Sequence, residues 1–573
     1  MDRRALWAVV LMMVIALVPT FLLKPKPRTD GTTGRRADTT QAVIPSPAPT
    51  AGVPLEASGS LRSAAGPVGA ADTTTARAAG RITVASELYR YEFSTRGGAL
   101  TQATILGYKD LSPEARGTLA KLIPAGGTVH TLAFTVGNDT ISLADWDFVP
   151  ATPHLTGAEG ARELMVPQLD SLTLTGSRGN VAVTLTYRFL PKDYTIGVTG
   201  QVTGLGPVGG HLLVGMGQGL AQTEADSNAN HYDFGVVTKT DESKLTRFSK
   251  LKPGETRTLE GPFEWAAVKA KYFVAALLAV DSSNTPLSGV LVRALPNQAT
   301  IKAAAVTFAL PVPASGAFNY RLYIGPMEYP RLHAIGHDFY DINPYGWPGF
   351  RTMIRPVAVA ARTLLVWMHT HLNLAYGVVL IIFGIMIRVL LWPLNQRGMR
   401  ASMKMQALQP EMQKLQDKHK EDPGALQKEV MGLYKREGVN PFSGCWPLLL
   451  PWPVMLALFF VLANSIELRG QAFLWLPDLS LKDPLHIIPV LMGASMFAVT
   501  KVGMKGMPPN PQSKMMLYFL PVMMTVMFLN FASGLNLYYF VQNVVSVPQQ
   551  WWLAKERMKV QPQPVVVNTK KKK

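Results

Sequence analysis

One arginine sits inside a stretch built for lipid. In IIFGIMIRVLLWPLN, residues 381–395, Arg388 has aliphatic neighbours on both sides. A charge at the centre of a membrane helix costs roughly 2.5–3.5 kcal/mol on insertion scales, so it needs a compensating environment. Two environments are open from these residues. If the helix ends near Trp392 and Pro393, the long side chain snorkels to headgroups and water. If Arg388 instead faces a water-filled cavity, it offers a fixed positive charge to a polar or acidic guest.

A second set of polar groups lies in the last apolar run, ASGLNLYYFVQNVV, where Asn536, Tyr538, Tyr539, Gln542 and Asn543 can all hydrogen-bond. Their plain role is to hold helices together, at about 0.6 kcal/mol each. Their sharper role is to line the same cavity as Arg388. Met515, Met516, Met523, Met524 and Met527 offer an adaptable apolar surface for varied partners, or ordinary membrane filler. His130, His154, His211 and His231 show no metal-ligand spacing. His333 and His337, four apart, are placed to share a helix face but lack a third ligand. No nucleophile motif stands beside these histidines, and no catalytic residue or cofactor is expected.

The elements that position these residues follow from composition. The chain has 573 residues, 48% hydrophobic, with 25 methionines, one cysteine (Cys445) and a formal net charge of +18. Its mean hydropathy is +0.13. This is the profile of an integral membrane protein with soluble parts and no disulfide framework. Residues 1–23 read as an uncleaved transmembrane anchor, because no small-x-small cleavage site follows the apolar run. Residues 24–80, rich in Thr, Ala, Pro and Gly, read as a flexible linker. Residues 81–330 alternate with period two. Val181, Val183, Leu185, Tyr187 and Phe189 share one face, as do Phe318, Tyr320, Leu322 and Ile324, which predicts a β-sandwich of antiparallel sheets. Residues 345–368 place Phe350, Ile354, Val357, Ala361, Leu364 and Met368 at helical spacing, with Arg351, Arg355 and Arg362 on other faces. That pattern predicts an amphipathic helix in the headgroup plane or packed on the sandwich.

Residues 369–552 hold five candidate spans, at about 372–391, 446–464, 485–502, 515–531 and 534–552, giving about six with the anchor. The 395–443 loop carries nine Lys/Arg against six Asp/Glu and reads as a helical hairpin around EDPG. The 503–514 loop and the 553–573 tail are also basic, whereas 465–484 is not. The positive-inside rule puts the basic loops and both termini in the cytoplasm and the sandwich outside. Lys24, Lys26, Arg28, Arg35 and Arg36 oppose that orientation for the first span alone.

IRVLLWPLNQ, KMQALQPEMQKLQ, LYKREGVNPFSGCWPLLL, DPLHIIPVLMGASMF and ASGLNLYYFVQNVVSVPQQ, in that order, resemble the YidC/Oxa/Alb family of membrane protein insertases. TRGGALTQATILGYKD, KYFVAALL and YIGPME resemble the periplasmic domain of its Gram-negative branch. The resemblance implies a five-helix insertase core, a periplasmic β-supersandwich and an inner-membrane address. It also implies a hydrophilic groove open to cytoplasm and lipid, lined by Arg388, Gly384, Asn536, Tyr538, Tyr539, Gln542 and Asn543. Met455, Phe459, Met523 and Met527 would form the apolar surface against the substrate helix. Nascent membrane proteins and the lipid bilayer are the implied partners, with or without a Sec translocon, and with the ribosome met by the basic tail and hairpin. Three positions depart from the family pattern: Gly384 where a hydroxyl residue often stands, Pro451 for glutamine, and Ala532 for proline. Two other classes stay open from the residues alone. A transporter would be expected to show internal repeats, and none is visible. A membrane-tethered carbohydrate-active protein would need a pair of carboxylates, which cannot be singled out.

Lys555, Arg557, Lys559 and Lys570 to Lys573 form a basic cluster. If it grips ribosomal RNA through phosphate contacts, removing residues 555–573 weakens cosedimentation with ribosomes, and the wild-type interaction falls steeply with salt. Unchanged cosedimentation would assign the charges to anionic headgroups instead.

Overall fold

The computed structural model describes residues 79–137, 139–152, 161–168, 170–205, 210–279, 286–296, 301–343, 345–346, 350–419, 422–436, 452–506 and 511–560. The expected anchor, nearly all of the linker, Trp347, Cys445, Pro451 and Lys570 to Lys573 lie outside these residues.

The alternating segments form three sheets, of five, nine and six strands. Val183, Leu185, Tyr187 and Phe189 all point into one core, and so do Phe318, Tyr320, Leu322 and Ile324. The inner face of the nine-stranded sheet receives both others. Phe93 of the five-stranded sheet meets Tyr187 at 4.9 Å, and Phe134 of the six-stranded sheet meets Phe318 at 5.8 Å. Pairing is antiparallel except where Arg81–Ala85 runs parallel to Ala161–Met165, which the alternation alone does not reveal. His130 is a core residue whose Nε2 lies 2.6 Å from the Tyr320 hydroxyl. Burial pushes its pKa down to about 3, so it is neutral at physiological pH.

Ten helices are described. The short α1 (Ser227–Asp233) and α2 (Tyr329–Ile335) belong to the β-domain. Helix α2 stops at Gly336, and His337 takes a left-handed backbone, so His333 and His337 do not share a helix face. Among the described residues no cluster of His, Cys, Asp and Glu is placed to hold a metal ion. Then follow α3 (Arg351–Leu372), α4 (Tyr376–Ala407), α5 (Gln409–Lys418), α6 (Pro423–Arg436), α7 (Trp452–Asn464), α8 (Ile487–Gly503), α9 (Pro511–Phe528) and α10 (Ser533–Val560).

Helix α4 does not end at Pro393. It runs on to Ala407 and takes in the first residues of the expected hairpin loop. Proline removes one i→i−4 hydrogen bond without obliging the helix to stop. Helices α5 and α6 follow, with the Tyr434 hydroxyl 3.1 Å from Met412 Sδ. Among the described residues one window, Tyr376–Pro393, is long and apolar enough to cross a membrane by length and composition. Pro453–Asn464, Ile487–Gly503 and Lys514–Phe528 are apolar but shorter.

The arginines of α3 differ from expectation. Spaced four and seven apart, Arg351, Arg355 and Arg362 fall on one side of the helix, and that side faces the β-domain. Arg351 donates to the Ser243 carbonyl, and Arg355 to the Tyr340 hydroxyl and the Asp338 carboxylate. Arg362 is buried, donating to Tyr345, to the Met327 carbonyl and to Glu467. Phe350, Met353, Trp367 and Leu372 stay exposed.

Glu467 belongs to the segment joining α7 to α8, which also carries Arg469. The Arg469 guanidinium is 2% exposed and enters the β-domain. Its Nε reaches both oxygens of Glu224, itself 4% exposed, at 3.0 and 2.9 Å. Its terminal nitrogens donate to the carbonyls of Lys109 and Thr223. The Arg469–Glu224 pair, together with the Arg362 bond to the Met327 carbonyl, clasps the β-domain to the helical part.

Removing one member of a buried, hydrogen-bonded pair strands the other charge and costs about 3–5 kcal/mol. Arg469→Met is therefore expected to destabilise the chain by that amount in thermal or chemical unfolding. Glu224→Gln combined with Arg469→Met should cost less than the two single changes together. A loss below about 1 kcal/mol for the single variant would mean that the pair is screened by water.

Candidate functional site

The seam between α4 and α10 carries the candidate site. The two helices run parallel. A β-carbon at Gly534 would lie 3.4 Å from Leu380 Cδ1, and one at Gly384 would lie 3.1 Å from Val541 Cγ1 and 3.7 Å from Tyr538 Cδ2. Gly384 thus lets the backbones approach, and the Gln542 side-chain amide donates to its carbonyl at 2.7 Å. A hydroxyl-bearing side chain at this position would compete with Tyr538 and Val541 for the same space.

Arg388 lies one turn beyond Gly384. It is half-buried and close enough to Tyr538 for the two to interact electrostatically. Its Nε is buried without a hydrogen-bond partner. No acidic residue pairs with Arg388 among the described residues. The structure therefore brings together Arg388, Gly384, Tyr538 and Gln542.

The other expected lining residues are held elsewhere. Asn536 is fully buried and donates to the Phe528 carbonyl at 3.0 Å, satisfying the C-terminal end of α9. Asn543 faces α8, donating to the Met492 carbonyl and to Ser495 Oγ at 3.1 Å. Tyr539 reaches across to α7, its hydroxyl 3.3 Å from the Met455 carbonyl. The 100° step per residue separates Gln542 from Asn543 and Tyr538 from Tyr539. One member of each doublet can face α4 while the other faces a different helix.

Of the expected apolar surface, Met455 is exposed, while Phe459 packs on Phe531 at 5.7 Å. Met523 and Met527 are half-buried. On α9, Met515, Met516, Phe519, Val522 and Val526 are exposed, making an apolar strip.

The two ends of the seam differ. At the start of α10, Ser533 N donates to Leu481 O and Gly534 N to Leu479 O, and the Ser533 hydroxyl donates to Asp478 O. The segment between α7 and α8 thus covers this end, and it is the segment clasped to the β-domain. At the far end Arg557 is only 7% exposed, donating to the carbonyls of Gly503 and Lys505 where α8 ends. It caps a helix rather than joining a free basic cluster.

Sequence reasoning missed Gln549. It is 1% exposed, and neither atom of its side-chain amide has a hydrogen-bond partner. Each such group costs about 1–3 kcal/mol when buried unpaired. A signal was present, since the doublets Gln542-Asn543 and Gln549-Gln550 are seven residues apart. For Arg469 and Glu224, 245 residues apart, no local signal exists.

Residues 367–561 match the family described as 60Kd inner membrane protein, and residues 81–358 match the YidC periplasmic domain. The chain is 30% identical over 575 residues to a membrane protein insertase YidC of Syntrophus aciditrophicus (strain SB), covering 97% of this chain and 100% of that one. It is 32% identical over 482 residues to one of Geobacter sp. (strain M21), covering 83% and 85%. A crystal structure of an active YidC insertase with its first transmembrane domain resolved is similar at 18% identity and a TM-score of 0.34, over 83% of this chain and 93% of that one. A galactose mutarotase-like protein from Lactobacillus casei ATCC 334 is similar at 11% identity and a TM-score of 0.26, over 43% of this chain and 100% of its own.

Because Asn543 is satisfied by α8, Asn543→Ala is expected to cost roughly 0.6 kcal/mol of stability, the usual value for a hydrogen bond between membrane helices. It should leave the rate of substrate insertion unchanged at matched protein levels. A large insertion defect without a fall in stability would place Asn543 on the substrate path.

Proposed function

We infer that this chain, which belongs to the YidC family of membrane protein insertases, moves polar segments of nascent membrane proteins along the α4–α10 seam and releases their apolar helices into lipid. The observation that carries this reading is Arg388, a half-buried guanidinium with an unpaired Nε inside the most lipid-like helix described. Water held beside a fixed charge lowers the cost of drawing a polar or acidic tail partway into the bilayer. The tail then crosses a shorter stretch of hydrocarbon, and burial of the apolar helix drives the step. No covalent bond is made or broken, and the protein is not an enzyme.

The orientation follows from what is tied to what. A β-domain of this size and polarity belongs in water, and Arg469 binds the α7–α8 segment to it through Glu224, with Glu467 accepting from the Tyr329 backbone N–H. That segment therefore shares its side, which we assign to the periplasm. Helices α5 and α6, read as the cytoplasmic hairpin, the 503–514 loop and both termini then lie in the cytoplasm, with about six spans counting the anchor. The exposed apolar row of α3 rests on the periplasmic leaflet. The seam is covered where it meets the α7–α8 segment, so it opens toward the cytoplasm. Arg388, Gly384, Tyr538 and Gln542 line it. Tyr539, Asn536 and Asn543 brace the helices that shape it. Met455, Phe459, Met523, Met527 and the outer strip of α9 take the substrate helix. A Sec translocon beside the lipid-facing opening and a ribosome below the hairpin fit this arrangement.

If the Arg388 charge does the work, Arg388→Lys largely preserves insertion and Arg388→Gln fails, worst for substrates with acidic translocated tails. Insertion into liposomes is compared for paired substrates differing only in tail charge, at matched protein levels. Equal rates for the Gln variant and the wild type on both substrates would leave Arg388 a snorkelling residue only.

A further inference from the structure

Gln549 lies seven residues beyond Gln542 on α10, a separation of two turns that returns the side chain to the same face. It is therefore about 10 Å further along the seam at a rise of 1.5 Å per residue. Arg388 lies one turn past Gly384, whose carbonyl holds Gln542, and α4 and α10 run parallel. Gln549 thus lies further from the covered end of the seam than Gln542 and than Tyr538, with which the Arg388 charge interacts. The neighbouring amide, Gln550, turns toward α8, where its Oε1 would lie 2.9 Å from a β-carbon at Gly503. It has the same orientation as Asn543, one heptad earlier. Between the two glutamines Ser546 gives its hydroxyl to the Gln542 carbonyl and offers no free donor. Gln549 is left buried with both donor and acceptor unused.

We propose that Gln549 is a peptide-backbone subsite at the cytoplasmic mouth of the Arg388 seam, engaged when a substrate's polar segment parts α4 from α10. A carboxamide carries one carbonyl acceptor and two N–H donors, the pattern needed to pair with a peptide bond through both its N–H and its C=O. A peptide group is common to every substrate, whatever its side chains. Arg388, which only donates and is charged, distinguishes acidic from neutral tails, while Gln549 holds any extended segment. The unused hydrogen-bonding capacity is what a guest backbone would satisfy when the seam opens.

The inference rests on the insertase reading, and its test separates the two. Wild type, Gln549→Leu, Gln550→Leu and Arg388→Gln, each full length, are reconstituted into liposomes and given single-span substrates with neutral or acidic tails. Wild-type insertion establishes the reading itself, and its absence would overturn that reading along with the subsite. Gln549→Leu should slow both substrates alike, by roughly fivefold for each hydrogen bond lost. Gln550→Leu should match wild type, and Arg388→Gln should discriminate by tail charge. Insertion by Gln549→Leu at the wild-type rate, or a defect confined to acidic tails, would overturn the subsite alone. A readout that packing does not move is added with Gln549→Cys in a Cys445→Ser chain. On addition of a thiol oxidant, which takes up the two electrons, the cysteine should form a disulfide with a cysteine in the polar tail of a stalled substrate. A slowed Gln549→Leu variant without that crosslink would make Gln549 a packing residue and end the proposal.

Discussion

A bilayer interior offers no hydrogen bonds, so a polar group placed there must find a partner in the protein, in trapped water or in a guest. This constraint sorts the polar side chains of the helical part. Asn543, Tyr539 and Gln542 each reach a carbonyl on another helix, and so fix which helices touch. Arg388 Nε and the Gln549 amide find no partner, and both belong to the seam of α4 and α10. Asn536 Oδ1, Arg362 Nε and Arg557 Nε are likewise unpaired, but each of those side chains is anchored by other hydrogen bonds, whereas neither end of the Gln549 amide is.

The same reasoning explains the asymmetry of the seam. On one side the α7–α8 segment is stitched to the first turn of α10 by Ser533 and Gly534, to α3 by the Arg362–Glu467 pair, and to the β-domain by the Arg469–Glu224 pair. Buried ion pairs are weak sources of net stability but set one arrangement over others, because any shift strands a charge. The β-domain thus holds in place the segment that covers one end of the seam. In the proposed function, a seam covered at one end gives a polar tail one entrance, and its lipid-facing side gives an apolar helix one exit.

Much of this was legible in the sequence, for identifiable reasons. The period-two runs around Tyr187 and Tyr320 mark the core face of the sandwich because alternation in a strand is imposed by geometry. The apolar windows located the helices of the membrane part, and Arg388 stood out because charge in such a window is costly. What was not legible depends on distant partners or on angles. Arg362 reads as a residue of an amphipathic helix in the headgroup plane or on the sandwich until Glu467, 105 positions away, is brought against it. Pro393 reads as a helix end, yet α4 runs through it. Asn543 and Gln542 are adjacent in sequence and serve different helices, a distinction that needs the rotation of α10 about its axis. His333 and His337 have helical spacing, but the backbone turns left-handed between α2 and the second histidine.

The central claim is a polar seam open to one side only. Cysteines placed singly at Gly384, Gln542 and Gln549 in a Cys445→Ser chain, embedded in oriented vesicles, measure it through labelling by a membrane-impermeant maleimide. The account predicts labelling from the side opposite the β-domain and protection from the β-domain side. Labelling from the β-domain side, or from neither, would contradict it.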